Sequence, residues 1–267
     1  MIGLTFSKRV SDFVDAADVG GNIKNSKANL NYLRLIDIAC VKSGITIGAV
    51  YPFIGGTAFS HQFNLLDPRD LDSAFRLAFF GGLTHSALGV KPNGTTGYAE
   101  TYISSSNLIL NNTHLSYYSN ENITGGTRIL LGLGTQPYVA GTTFLLLRTN
   151  FNNNFNSIIG TENANAAFSS STYTRQGMFL GNRNAINSNK LYHNANIIAQ
   201  SNSDNTYSYP VSNTIYLFAG GNTANKTAGS FEINRCAFAS VGNGMSDYNA
   251  KIFSHDIFIA QRSIGRA

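Results

Sequence analysis

The chain has 267 residues, enough for one large β domain with an appendage or for two small domains. Its hydrophobic fraction of 43% suffices for a packed core, while the charged fraction of 12% is about half the usual share. The 19 Lys and Arg give a net charge of +5 but form no run denser than Lys8-Arg9, which argues against nucleic acid as a partner.

Polarity comes instead from Asn, Ser, Thr and 26 Gly, residues suited to turns and to subunit surfaces buried without unpaired charge. No segment approaches 18 uninterrupted apolar residues, so no membrane span is expected. The opening stretch 1–10 lacks the apolar core of a signal peptide, and a protein made in a cytoplasm is expected. Cys40 and Cys236 make no disulfide framework in a chain of this size and read as free buried thiols.

In chain order, residues 1–45 read as a helical arm. Asn25-Ser26 can cap a helix that runs to about Lys42, with Leu30, Leu33, Ile36 and Cys40 at helical spacing and Gly44 as its stop. The arm either packs on the rest of the chain or attaches to a partner subunit. From Thr46 onward, β-formers alternate with turn residues at short intervals. Expected strands are 47–53, 75–80, 97–103, 114–119, 127–133, 143–149, 176–181, 190–199, 214–219 and 235–241. Asn93-Gly94, Gly125-Gly126 and Gly220-Gly221 read as turn dipeptides. So many short strands, without intervening helices long enough for parallel crossovers, predict a mainly β, two-sheet sandwich or jelly roll. The chain closes with Gly242-Asn243-Gly244 turning into a helix capped by Ser246, with Asp247 in its first turn. Phe253, Ile257, Ala260 and Ile264 fall on one face of that helix, Arg262 suits its last turn, and Gly265 ends it.

Three segments together carry a resemblance. The first, 89–99, joins an apolar strand through Asn93-Gly94 to a Tyr-bearing strand. The second, 190–198, passes through Tyr192-His193-Asn194-Ala195. The third, 236–247, joins a closing strand to the helix start Met245-Ser246-Asp247. Together they resemble the concanavalin A-like, laminin-G-like jelly roll. Asn93 stands where Asp is usual there, Asn194-Ala195 departs from the usual Asp-Gly, and Met245 takes the place of Leu. More narrowly, 51–58, 64–72 and 84–86, with the closing 237–242 and 264–266, resemble lectin-like proteins of bacteriophage virions.

The resemblance implies a lectin-like jelly-roll domain over 46–267, ending in a helix, behind the 1–45 arm. It also implies a non-enzymatic virion component: capsid decoration, head fibre or tail-associated protein. Its partners would be other virion subunits, copies of itself in a homo-oligomer, and cell-surface carbohydrate. A free-standing carbohydrate-binding module and an atypical glycoside hydrolase are the alternatives.

Catalytic signals are absent from the pattern. Glycoside hydrolysis needs paired carboxylates, and acids alternating along one strand would share a face. Glu100, Glu121, Glu162 and Glu232 are each isolated. The acidic stretch Asp67-Pro68-Arg69-Asp70-Leu71-Asp72 lacks calcium-loop spacing and reads as a helical turn capped by Asp67, with Pro68 in its first position and Asp70 and Asp72 facing water or pairing with Arg69 or Arg76. None of His61, His85, His114, His193 and His255 has metal-ligand spacing, and no phosphate loop or acylation motif occurs, so neither metal nor cofactor is expected. His85 and His114 read as hydrogen-bonded strand-end residues. Two loops have the composition of a sugar site. One is Asn202, Asp204, Asn205, Tyr207 and Tyr209; the other is 150–156, with amides around Phe151 and Phe155. The competing reading makes both ordinary surface loops or subunit contacts.

Overall fold

The computed structural model describes residues 6–109, 111–134, 143–149, 154–161, 166–169, 171–203, 214–222 and 227–267. The chain opens with helices α1 (Lys8–Ala17) and α2 (Lys27–Ser43), strand β1 (Gly48–Tyr51) and the short helix α3 (Ala58–His61). There follow β2 (Ala78–Phe80), β3 (Leu83–Ser86), β4 (Gly89–Pro92), β5 (Tyr98–Ser104), β6 (Thr113–Ser119), β7 (Arg128–Gly134), β8 (Thr143–Thr149), β9 (Phe155–Thr161) and β10 (Ala166–Phe168). The rest comprises β11 (Gly177–Ala185), β12 (Ser188–His193), β13 (Asn196–Ser201), β14 (Thr214–Leu217), β15 (Gly220–Asn222), β16 (Ala228–Gly229), β17 (Cys236–Gly242) and helix α4 (Asp247–Ser263).

The strands form two sheets. The first runs β13-β12-β11-β6-β17-β4-β3, with β1 also on β17; the second runs β10-β9-β8-β7-β14-β5-β2, with β15 and β16 attached at β7. Among the described residues, pairing is antiparallel except between β15 and β7. The expected two-sheet, mainly β sandwich with N-terminal helices and a C-terminal helix is what forms.

Alternation along the strands divides the core into two layers. Between the sheets lie Leu115, Tyr117 and Phe179 from the first, against Leu131, Leu145 and Leu217 from the second. On the other face of the first sheet, Tyr118, Leu180 and Phe238 meet Phe13 of α1, Leu33 and Ile36 of α2, and Phe253 and Ile257 of α4. The N-terminal helices therefore pack on the sandwich, one of the two roles open to the arm. Caps set their ends: Ser26 accepts from the Asn29 N–H, and Gly44 stops α2 at φ 72°. Ser246 caps α4 through the Asn249 N–H at 3.2 Å, and Gly265 follows at φ 73°. Cys40 and Cys236 are free and buried in separate layers.

The structure corrects several local readings. Helix α1 is an additional element; Ser7 caps it, and Val10, Phe13, Val14 and Ala17 form its buried stripe. Asn93-Gly94 is not the turn of a paired hairpin, because β4 belongs to the first sheet and β5 to the second. It forms the corner of a long ribbon, β2–β3 against β4–β5, that bends from one sheet into the other. The Asn93 Oδ1 accepts from the N–H groups of Thr95, Thr96 and Gly97, and Gly81, at φ 67°, lets the opposite chain pass where a Cβ would meet Thr96 O at 2.0 Å. Gly220-Gly221 lie in β15 and not in a turn, because β7 approaches them through Gly132. The expected strand 190–199 is a hairpin, with Asn194 (φ 47°) and Ala195 (φ 69°) as its two-residue turn. Asp67 does not start a helical turn; the 3-10 turn of this stretch is Asp72–Ala74.

Candidate functional site

Helices cover one face of the first sheet; the outward face of the second sheet carries a different kind of surface. Along β5, Ala99, Thr101 and Ile103 point inward, and Tyr98, Glu100, Tyr102 and Ser104 outward. In register, Phe80 of β2 lies opposite Tyr98, and Tyr216 of β14 lies opposite Glu100. The result is a row of rings across three strands. Phe80 and Tyr98 are stacked with centroids 5.0 Å apart, and Tyr98 and Tyr216 are 5.0 Å apart at 35°. Phe231 adds a fourth ring 6.4 Å from Tyr98. Exposure is graded along the row: Phe80, on the edge strand, is 41% exposed and Tyr216 8%.

Polar groups flank the rings. Thr214 donates its hydroxyl to Glu100 Oε1 at 2.6 Å. A bulge in β5 sets this geometry, since the register with β14 shifts between Thr214 and Tyr216. Within it Tyr102 holds φ 56°, a conformation unfavourable for a bulky side chain. Thr101 stabilises the bulge from the inner side, donating to Ile215 O at 2.7 Å and accepting from the Ile103 N–H. Burial and the Glu100 carboxylate raise the Tyr98 and Tyr216 hydroxyls above the ordinary value; for Tyr102, burial, Asp72 and Glu100 do the same. All three are protonated donors at neutral pH. Arg76 donates to Asp70 and to Asp72, each at 2.8 Å, one of the two roles open to these acids, whereas Asp67 pairs with Arg69 and caps no helical turn.

Of the loop residues singled out in the sequence, Asp204, Asn205, Tyr207 and Tyr209 lie outside the described residues. Asn202 sits just past the end of β13. In the second loop, Phe151 is outside the described residues. Phe155 and Asn156 belong to β9 and are buried, Phe155 stacked on Phe179 at 3.9 Å. That correction follows from burial: the amide-rich stretch runs directly into a core strand. Glu100 was visible as a strand carboxylate, and Tyr98 as part of the β5 segment. Phe80 and Tyr216 were not, because aromatic residues in β-rich segments look like core.

Two histidine arrangements have the residue types of catalysis. His114 Nε2 lies 2.8 Å from Ser240 Oγ, which lies 2.6 Å from Ser116 Oγ, and His114 Nδ1 is 2.7 Å from Asn243 O. All three side chains are wholly buried beneath α4, where no substrate can reach the hydroxyl. His61 and His85 meet through Nδ1 at 3.0 Å, a contact that their sequence spacing did not reveal. Among the described residues, no three His, Cys, Asp or Glu side chains form a group able to hold a metal ion.

No protein-family model and no curated protein matches the chain. Among solved structures, Trypanosoma rangeli sialidase in complex with sialic acid is similar, with a TM-score of 0.53 at 15% identity over 88% of this chain and 39% of that one. The two-sheet fold is thus similar to that of part of this sialidase. The chain spans about two fifths of the length of that sialidase, and at this identity the likeness concerns the fold alone. The CBM40 of Ruminococcus gnavus IT-sialidase, bound to α2,3 sialyllactose, gives a TM-score of 0.48 at 13% identity over 62% of this chain and 96% of that one, too loose to add to it.

Proposed function

We propose that the chain is a non-enzymatic carbohydrate-binding module that takes a glycan on the outward face of the second sheet. The observation that carries this reading is the row Phe80–Tyr98–Tyr216 beside the Glu100–Thr214 pair. Sugars present an apolar C–H face and a rim of hydroxyls. A partly exposed ring with fixed donors and acceptors beside it complements both. The lectin-like sandwich supports the same reading at the level of fold, which by itself does not assign function. The non-enzymatic reading rests on the carboxylate pattern: Glu100 has no second acid two or four residues away on its strand, where a hydrolytic pair would share its face.

The test is retention on a panel of immobilised polysaccharides. Phe80→Ala, at an exposed edge position, is expected to lose retention at an unchanged melting temperature. Equal retention by wild type and Phe80→Ala overturns the assignment of this face. Release of reducing ends that disappears in Glu100→Gln overturns the non-enzymatic reading.

The narrower proposal, from the sequence segments that resemble phage proteins, is a module carried on a virion. There it would assemble with copies of itself and other virion subunits and adhere to cell-surface carbohydrate. Stoichiometric recovery in purified particles supports it; a glycan-binding chain absent from particles is a free-standing module instead.

A further inference from the structure

The glycan face carries a charge pattern that bears on which glycans it accepts. Its carboxylate, Glu100, sits among the rings themselves: it is two residues from Tyr98 on the same strand face and opposite Tyr216 in register. Oε1 accepts from Thr214, and no hydrogen bond to Oε2 is made among the described residues. Oε2 is also not a buried orphan atom, so it is placed to accept from a ligand hydroxyl.

Recognition of an acidic sugar calls for a cation, most effectively an arginine fork aimed at the carboxylate. Among the described residues, the arginines near this face make contacts of their own. Arg76 is held by Asp70 and Asp72, so this group of three carries a net negative charge in addition to that of Glu100. Arg128 donates from Nη1 to Gly94 O at 3.2 Å and Phe231 O at 2.8 Å. Arg148 lies farther along the sheet on β8, is 8% exposed, and is bonded by the Asn156 side-chain amide oxygen. An anionic ligand over Tyr98 would therefore meet the like charge of Glu100, a carboxylate with which no arginine or lysine is paired among the described residues.

We propose that this face selects uncharged, hydroxyl-rich glycans and discriminates against sialylated or otherwise acidic ones. The inference rests on the glycan-binding reading above and goes further in naming the ligand class. Glu100 has two effects: it accepts from sugar hydroxyls, and it repels a ligand carboxylate. The repulsion acts in a partly exposed site, so it weakens as salt screens it.

The experiment is an array that presents neutral oligosaccharides beside their own sialylated counterparts, read at low and high ionic strength. Neutral glycans are expected to bind, with their sialylated forms weaker by about tenfold or more at low salt. The gap is expected to narrow at high salt and in Glu100→Gln. If sialylated forms bind more tightly and Phe80→Ala abolishes that binding, the face is a glycan site but the charge selectivity is overturned. If neither class binds, both the selectivity and the binding reading are overturned.

Discussion

Nδ1 of His61, the last residue of α3, lies 3.0 Å from Nδ1 of His85 on β3, so one ring donates to the other. Burial, then His85 and Arg266, hold His61 well below its ordinary value, and burial lowers His85. His193 is lowered by burial, and burial pushes His114 down to about 4.

These four shifts predict an acid-sensitive fold. Between about pH 6.5 and pH 4 the unfolded chain binds protons that the folded chain does not, so stability falls as pH falls. His114 alone is expected to contribute a loss of about 3 kcal/mol across that window. Asp18, Asp67 and Asp247 are held below their ordinary 3.8 and titrate beneath it. Urea denaturation at pH 7.5 and pH 5 measures the effect. Equal midpoints at the two values would contradict the histidine assignment.

Arg266 closes the chain on itself. Its guanidinium donates to Phe53 O at 2.8 Å, to Ala87 O at 2.6 Å and to Ala237 O at 3.2 Å, and lies 5.5 Å from the Tyr32 ring centroid. Tyr32 in turn donates to Pro52 O and accepts from Gln261. Arg266→Ala leaves these buried carbonyls short of a donor and is expected to cost about 3 kcal/mol. Arg266→Lys is expected to recover only part of that, because an ammonium does not match the planar fork. Thermal melting of both variants decides; full recovery by lysine would refute the geometric argument.

Ser246→Ala removes the acceptor for the Asn249 N–H and should lower stability by about 1 kcal/mol. Glycan retention should be unchanged, since α4 packs on the first sheet and the ring row lies on the second. A melting temperature equal to that of wild type would show that α4 does not depend on this cap.

Tyr98→Ala removes the ring that touches Phe80, Tyr216 and Phe231. It is expected to weaken glycan binding more than Phe80→Ala does, and to cost about 1–2 kcal/mol of stability through lost aromatic contacts and partial burial. Calorimetric binding and melting on the same preparation separate the two effects.

Much of the fold was legible because it is written locally. Ser26 and Ser246 are side-chain caps, Gly44 and Gly265 take left-handed conformations, and the stripe from Phe253 to Ile264 needs only its own helix. The alternation of 98–104 likewise announces a half-buried strand. Which sheet a strand joins is not local. Asn93-Gly94 looks like any hairpin turn, yet the chain there crosses from one sheet to the other, because β4 finds β17 and β5 finds β14.

The candidate site divides in the same way. The sequence by itself determined that Glu100 stands alone as a strand acid and that Asp70 and Asp72 have Arg76 within reach. Only the tertiary structure decided that Phe80, Tyr98 and Tyr216, distant along the chain, form one row, and that His61 meets His85. The physical reason is that a strand's alternation assigns side chains to two faces without saying what covers either. Helix packing on the first sheet covers its outer face, and the register of β2, β5 and β14 brings the rings together on the second.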